Sequence, residues 1–428
     1  MASYKASVPH RFQVSNRGCR NSALLIADKC ASRCAEWLPS PTALRCPQHE
    51  YLDYPETKQM VEYLDSHDQS SSFKRWATTR NRAETDPNIL KCFYRRPNTE
   101  DVHKEAKRWD SCQENIVPLF NRFLRYAADI DNGVHYVQRA KEICQTQGSF
   151  KFLDMGFAPG GMSELLLDAD SRITGAGITL GAGNGGNVYH EYLCNNSRYA
   201  VIEADILKIS QHPDGLSGFM SVPEGGFDLI IAGITISGSH QAEESEHVNL
   251  KDRLHIIQLA LAMRHLRPGG ILLVRMHLSI RLLEMQMLGL LIKCHEKETI
   301  TKPLTEFAMR KTFWILFENF VPDATLSKRL QTICTQVGAL ENDLLGIGID
   351  AFLQQFGSRL IATLSPVWKK QSDVLEWIMS GKRDRLCGKC RATSSVCRYC
   401  LSVVFPDVVR AVGDVMSRLK NTNRPLLL

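Results

Sequence analysis

From Ile116 onward the chain alternates between helical spacing and short unbroken apolar runs, and that alternation predicts its architecture. Over 117–146, Leu119, Phe120, Phe123, Leu124, Tyr126 and Ala127 recur at roughly helical intervals, a helical lead-in. FKFLDMG (150–156) then reads as a short buried strand, and Met162–Leu167 opens a helix. ITGAGITL (173–180), AVIEADI (200–206) and FDLIIAGI (227–234) are the next strand candidates. Leu250–Leu266 is an amphipathic helix ended by RPGG; ILLVRMH (271–277) follows as a strand. A Leu/Met-rich helix over 282–292 and the strand TFWILFENF (312–320) complete the pattern. Near-continuous apolar strands between helices imply an α/β fold, its mostly parallel sheet covered on both faces. The expected division is an irregular, partly helical N-terminal extension (1–115), the α/β domain (116–322) and a mostly helical C-terminal region (323–428).

Composition narrows the class. With 428 residues, 44% hydrophobic and 23% charged, the chain reads as an ordinary globular protein with room for a large core. It has no apolar run near the ~20 residues of a membrane-spanning helix. The N-terminal MASYKASVPHRFQVSNRG lacks an apolar signal core, so the expected location is intracellular, nucleus or cytoplasm. There, 14 cysteines favour metal ligation or burial over disulfides. A net charge of +6 permits an acidic partner without requiring one.

The candidate chemistry begins at Leu153-Asp154-Met155-Gly156-Phe157-Ala158-Pro159-Gly160-Gly161-Met162, where a strand turns into a helix. Glycines at such a turn let backbone amides approach a ligand, and a helix N-terminus favours an anionic group. The pyrophosphate fingerprint G-x-G-x-x-G is absent, which argues against NAD.

The combination Asp-x-Gly-x-Ala-Pro-Gly-Gly resembles the first motif of the FtsJ-type S-adenosylmethionine-dependent methyltransferases, with Met162 in the usual aromatic position. The resemblance covers about 200 residues, slightly under half of the chain. It implies a Rossmann-like core and a cofactor site of Asp154, Gly156, Ala158, Pro159, Gly160, Gly161 and Met162. It adds Asp205, which matches the family's acceptor for the adenine amino group. Relatives place another acidic residue after the second strand, for the ribose; here Ile178-Thr179-Leu180-Gly181 offers none. Arg267-Pro268-Gly269-Gly270 matches the reverse turn before strand five. Within the family, a fungal FtsJ-like group is most similar. Its G-I-S-L and late K-P segment correspond to Gly177-Ile178-Thr179-Leu180 and Lys302-Pro303.

The family's usual substrates are RNA riboses, methylated through a Lys-Asp-Lys-Glu tetrad. A ribose hydroxyl is a poor nucleophile, so a lysine with a lowered pKa must orient or deprotonate it. Carried over residue by residue, the tetrad is incomplete. Lys141 is a candidate for the first lysine, or a solvated lysine of the lead-in helix. Gly233 stands where the Asp belongs, and Asp228 is five residues too early. Arg275 replaces the central lysine and cannot act as a base. His277 beside it can, though a lone His after a strand is more often structural. Thr312 aligns with the Glu. The expected function is therefore S-adenosylmethionine-dependent methyl transfer, with RNA the family-implied substrate. The alternatives are a catalytically inactive cofactor- or RNA-binding relative, and a Rossmann-like scaffold that binds neither.

Two features lie outside that resemblance. Cys387, Cys390, Cys397 and Cys400 form paired C-x-x-C knuckles that can reach a tetrahedral, structural zinc, or remain free thiols. Cys19, Cys30, Cys34, Cys46 and His49 are a less regular set. Basic residues surround the knuckle, and a second basic stretch with aromatics runs from Lys74-Arg75-Trp76 through Phe93-Tyr94-Arg95-Arg96 to Lys107-Arg108-Trp109. Such stretches either contact RNA, cations on phosphates and rings on bases, or form a solvated charged face with the aromatics in the local core.

Overall fold

Seven strands form a single sheet in the order β3-β2-β1-β4-β5-β7-β6. They are β1 (Phe150–Met155), β2 (Ile173–Thr179), β3 (Tyr199–Glu203), β4 (Phe227–Ala232), β5 (Leu266–His277), β6 (His295–Thr301) and β7 (Thr312–Phe320). β1 to β5 run parallel, while β7 is antiparallel to both β5 and β6. This computed structural model describes residues 55–85, 116–181, 188–212, 214–235, 244–304, 308, 310–335 and 343–380, all within the unit Gln48–Leu428.

Eleven helices stand among the described residues: α1 (Pro55–His67), α2 (Ser72–Thr85), α3 (Ile116–Val134), α4 (Tyr136–Gln147), α5 (Gly161–Ala169), α6 (Glu191–Cys194), α7 (Ile206–Gln211), α8 (Glu244–His265), α9 (Leu282–Lys293), α10 (Ala324–Thr335) and α11 (Gly348–Met379). The central strands are apolar on both faces because each face buries a separate core. On one side Phe152, Leu229, Ile231, Leu273, Trp314 and Leu316 pack against α3, α4 and α5. On the other, Leu153, Ile230, Leu272, Val274, Ile315 and Phe317 pack with residues of α8, α9 and α11. Adjacent strand residues alternate between these cores, the period-2 consequence of the pleat.

The second core draws in Met60 and Leu64 of α1 and Phe73 and Trp76 of α2. Trp76 is 1% exposed and donates its indole N–H to Gln371 Oε1 of α11 at 2.7 Å. The described parts of the expected extension and C-terminal region thus share a core with the sheet. Burying one large apolar side chain contributes about 1.5–3 kcal/mol, so these helices are integral to the fold. α9 is buried around its whole circumference, which explains why its Leu/Met run shows no polar face.

Two local expectations change. Arg267-Pro268-Gly269-Gly270 lies within β5 and not before it. Phe227 pairs with Leu266 and Leu229 with Ile271, so the turn is an excursion in the strand. β6 (HEKETIT) was not anticipated; it is an edge strand, paired only with β7, and its charges escape the apolar pattern.

Candidate active site

The sheet order reverses beside β1, which connects toward β2 on one side while β4 begins the other half. In open α/β sheets, ligands bind outside the carboxyl ends of the strands at such a switch point. The glycine loop after β1 and the segment after β4 meet there. Gly156 (φ +88°) donates its N–H to Ile178 O at 2.8 Å, and a Cβ on it would come 2.8 Å from Ile234 Cγ1. Gly160 (φ +116°) is the N-cap of α5, and a Cβ on it would overlap Leu193 of α6. Only glycine meets both the backbone angle and the space at these turns. α5 begins at Gly160 with no side-chain cap among the described residues, so its first amides have no capping side chain there.

Asp154 does not lie on the open side of this loop. It is 3% exposed, accepts from Ser163 Oγ at 2.8 Å, and Ser163 in turn bonds Tyr199 OH at 2.8 Å. Burial pushes its carboxyl up to about 7, against the pull of the Ser163 bond. Met162 is half-buried and packs toward Phe120 and Leu124 of α3. Asp205 caps α7, accepting from Leu207 N at 2.9 Å, and remains half-exposed.

The carboxylate missing after β2 has a neighbour in its place. Glu203, the last residue of β3, pairs in register with Thr179 and accepts from Tyr189 OH at 2.6 Å. The sequence holds it in plain view in AVIEADI, but only the parallel register of β2 and β3 brings it beside the end of β2.

Across the switch point the strand ends are cationic. Gly233 ends the β4 run, donating its N–H to Met155 O at 3.1 Å. Gln258 of α8 clamps the next residue, accepting from Ile234 N at 2.7 Å. Arg275 Nη2 reaches Thr312 Oγ1 at 3.4 Å. His277 stacks on His255, ring centroids 5.9 Å apart. Burial, with Lys251, Arg275, His255 and Lys302, holds His277 well below the usual histidine range. Burial, with Lys251, Arg275 and Arg281, pushes His255 down to about 3. Both rings are neutral at physiological pH. Arg281 and Lys251 are themselves engaged with Asp252 and Glu284.

Lys302, quoted in the sequence only as part of a K-P segment, is the residue that sequence reasoning left without a role. It is 1% exposed, and its Nζ donates to Arg310 O at 2.6 Å and Thr312 O at 2.8 Å. Burial, assisted by Arg80, Lys370 and Arg275 and opposed by Asp129, lowers its pKa.

Arg275 and His277 thus stand together at the end of β5, while Lys141 does not join them. It lies on α4 within the field of Asp170, which precedes β2 at the edge where the strands begin. Asp228 is likewise at a strand start, accepting from Lys151 N at 2.6 Å and pairing with Arg267 at 2.6 Å.

Where it is described, the basic stretch from Lys74 has its aromatic in the core, as the second of its two readings had it. Trp76 is in the core, and Arg75 is held by Asp373 at 2.7 Å and Glu376 at 2.6 Å. Phe93 to Trp109 and the cysteines Cys19 to Cys46 and Cys387 to Cys400 lie outside the described residues. Among the described residues, no group of three or more His, Cys, Asp or Glu could hold a metal, and no helix is long and apolar enough to cross a membrane.

A glycine turn opens a helix at the switch point of a Rossmann-like, mostly parallel sheet, with Glu203 ending a neighbouring strand. Residues 132–320, slightly under half of the chain, match the model of the FtsJ-like methyltransferase family. A family of methyltransferases implies use of S-adenosylmethionine. No curated protein matches the chain. Among solved structures, it is similar to a putative ribosomal RNA methyltransferase from Plasmodium falciparum at 14% identity and a TM-score of 0.30, over 45% of this chain and 100% of that one. An rRNA methylase from Streptococcus thermophilus is similar at 10% identity and a TM-score of 0.27, over 40% and 87%. An O-methyltransferase family protein from Burkholderia thailandensis is similar at 10% identity and a TM-score of 0.31, over 70% and 84%.

Proposed function

We propose that the protein is an S-adenosylmethionine-dependent methyltransferase with RNA as its acceptor. The observation that carries this reading is the uncapped start of α5 at the switch point, inside the span that matches the FtsJ-like family. The residues present suit the donor. The amides at Gly160, Gly161 and Met162 would hold its amino-acid carboxylate, while Asp205 and Glu203 would serve the adenosine end. Asp154 and Ser163 act beneath the loop as support. When bound, the cofactor supplies an electrophilic methyl on a sulfonium.

The chain's own part in transfer is positioning. Arg275 stays protonated and orients the acceptor. His277 is neutral and can take a proton, but the cations around it make the imidazolium costly. An acceptor that is already nucleophilic, brought into contact with the methyl, needs little more. Ribose 2′-O transfer, the family's usual reaction, would have to proceed without the lysine of the tetrad. A second reading, an inactive cofactor- and RNA-binding relative, is favoured by Gly233, Arg275 and Thr312 at three tetrad positions. Cys387, Cys390, Cys397 and Cys400 would hold a structural zinc outside this site, which metal analysis of the purified chain would detect.

The test is transfer of labelled methyl to total cellular RNA, followed by digestion to nucleosides. Wild type should label RNA, and Asp205→Ala should require far more cofactor for the same rate. Cofactor binding without label supports the inactive relative, and equal label at every cofactor concentration in both proteins removes the enzyme reading.

A further inference from the structure

On the strand-end edge of the sheet, the described residues between β2 and β3 tie the glycine loop to the end of β3. The Tyr189 ring packs on Phe157 of the loop, centroids 5.2 Å apart, and His190 N donates to Pro159 O at 3.3 Å. Tyr189 OH donates to Glu203 Oε1 at 2.6 Å. Gly181, two residues past the end of β2, meets the same carboxylate. A Cβ on it would come 2.9 Å from Glu203 Oε2 and 3.5 Å from Glu203 Cδ. The Glu203 carboxylate thus fills the space that a side chain just after β2 would take. It is exposed there, while Tyr189 is half-buried.

We propose that Glu203, held in place by Tyr189, receives the ribose hydroxyls of the methyl donor, so that this chain reads the cofactor's sugar from β3 and not from β2. This rests on the proposed methyltransferase function and names the residue that sets its preference for a ribose. Relatives place the acidic residue after the second strand, where this chain has Thr179, Leu180 and Gly181. Thr179 is buried and uncharged, but it pairs in register with Glu203. Moving the carboxylate one strand across therefore keeps it at the same level of the sheet, and Gly181 leaves it the room. A carboxylate suits a vicinal diol, because its two oxygens offer several acceptor sites and bonds to a charged acceptor are the stronger ones. Tyr189 occupies one such site on Oε1; among the described residues, Oε2 accepts no hydrogen bond. Tyr189 is a positioning residue. Burial and the Glu203 bond hold its phenol well above the ordinary tyrosine range, so it stays a donor and fixes the carboxylate. Asp205, committed through Oδ1 to Leu207 N, is left for the adenine end.

The experiment is calorimetric titration of the full-length protein with S-adenosylhomocysteine and with its 2′-deoxyribose analogue. The readout is the ratio of the two affinities, which needs no methyl transfer. Wild type should bind the analogue about tenfold more weakly, the share of one hydrogen bond to a charged group. Glu203→Gln should weaken binding of S-adenosylhomocysteine about tenfold and bring the ratio down to about threefold or less. Tyr189→Phe keeps the ring on Phe157 and should lower the ratio in the same direction, whereas a merely structural tyrosine would leave it unchanged. Asp205→Ala should weaken both ligands alike and keep the ratio. Glu191→Gln, which removes a negative charge from the neighbouring α6, should bind both as wild type does. If wild type binds S-adenosylhomocysteine and Glu203→Gln keeps the full ratio, this proposal is overturned and the methyltransferase reading stands. If wild type binds neither ligand, the methyltransferase reading fails and takes this proposal with it.

Discussion

The two halves of the strand-end edge are built on different principles. The half proposed to take the cofactor, at the ends of β1 to β3, combines one tight glycine turn with the carboxylates Glu203 and Asp205. The half proposed to take the acceptor, around the end of β5, gathers Arg80, His255, Arg275, His277, Lys302 and Lys370 from five separate segments. A site made from one turn survives as a motif. A site assembled from distant elements depends on the whole fold, and here on helices outside the family span.

The largest predicted effect probes that dependence. Trp76→Ala removes a core side chain and the bond that keys α2 to Gln371, and should cost about 3–5 kcal/mol of stability. Denaturant unfolding measures it, and a cost below ~1 kcal/mol would mean that α2 is an independent appendage. Gly161→Ala probes the cofactor half. A Cβ there would come 2.6 Å from the Phe123 carbonyl, so either helix must shift, at about 1–3 kcal/mol. Thermal melting checks this, and an unchanged Tm would show that α3 does not press on the loop.

Asp154 gives a pH test of the same half. Its folded pKa of about 7 lies above the ordinary 3.8, so the stability it contributes is fully present below 3.8 and lost as pH rises through 7. Asp154→Asn should therefore be more stable than wild type by a few kcal/mol at pH 8, with the gap closing toward pH 4. Unfolding curves at several pH values read it, and a constant gap would contradict the burial of an ionisable carboxyl. The smallest effect belongs to Lys74→Ala, an exposed lysine whose pair with Asp65 spans 3.9 Å. Its stability should stay within about 0.5 kcal/mol of wild type.

The same contrast explains what could be read from the sequence. β1, β2, β4, β5 and β7 are legible because most of their residues are buried, so the runs are mostly apolar, whereas β3, an edge strand, is only partly buried and is legible from its short apolar run. β6 is not, because an edge strand of His, Glu, Lys and Thr looks like a loop until β7 pairs with it. The glycine loop is legible because its turn constrains consecutive residues. Glu203 escapes notice because its neighbourhood with Thr179 is a matter of sheet register. Lys302 carries no signal of its own, since what distinguishes it is burial among groups up to some 220 positions away. Trp76 misleads for the opposite reason: basic neighbours and an aromatic look like an RNA contact until α11 covers the ring.

Calorimetric titration of the full-length protein with the demethylated cofactor product measures the central claim most directly. The amides at the start of α5 predict saturable binding of one molecule per chain, weakened in Asp205→Ala and accompanied by a higher Tm. No heat and no Tm shift at saturating ligand would contradict the account, leaving a methyltransferase-like sheet that holds no methyl donor.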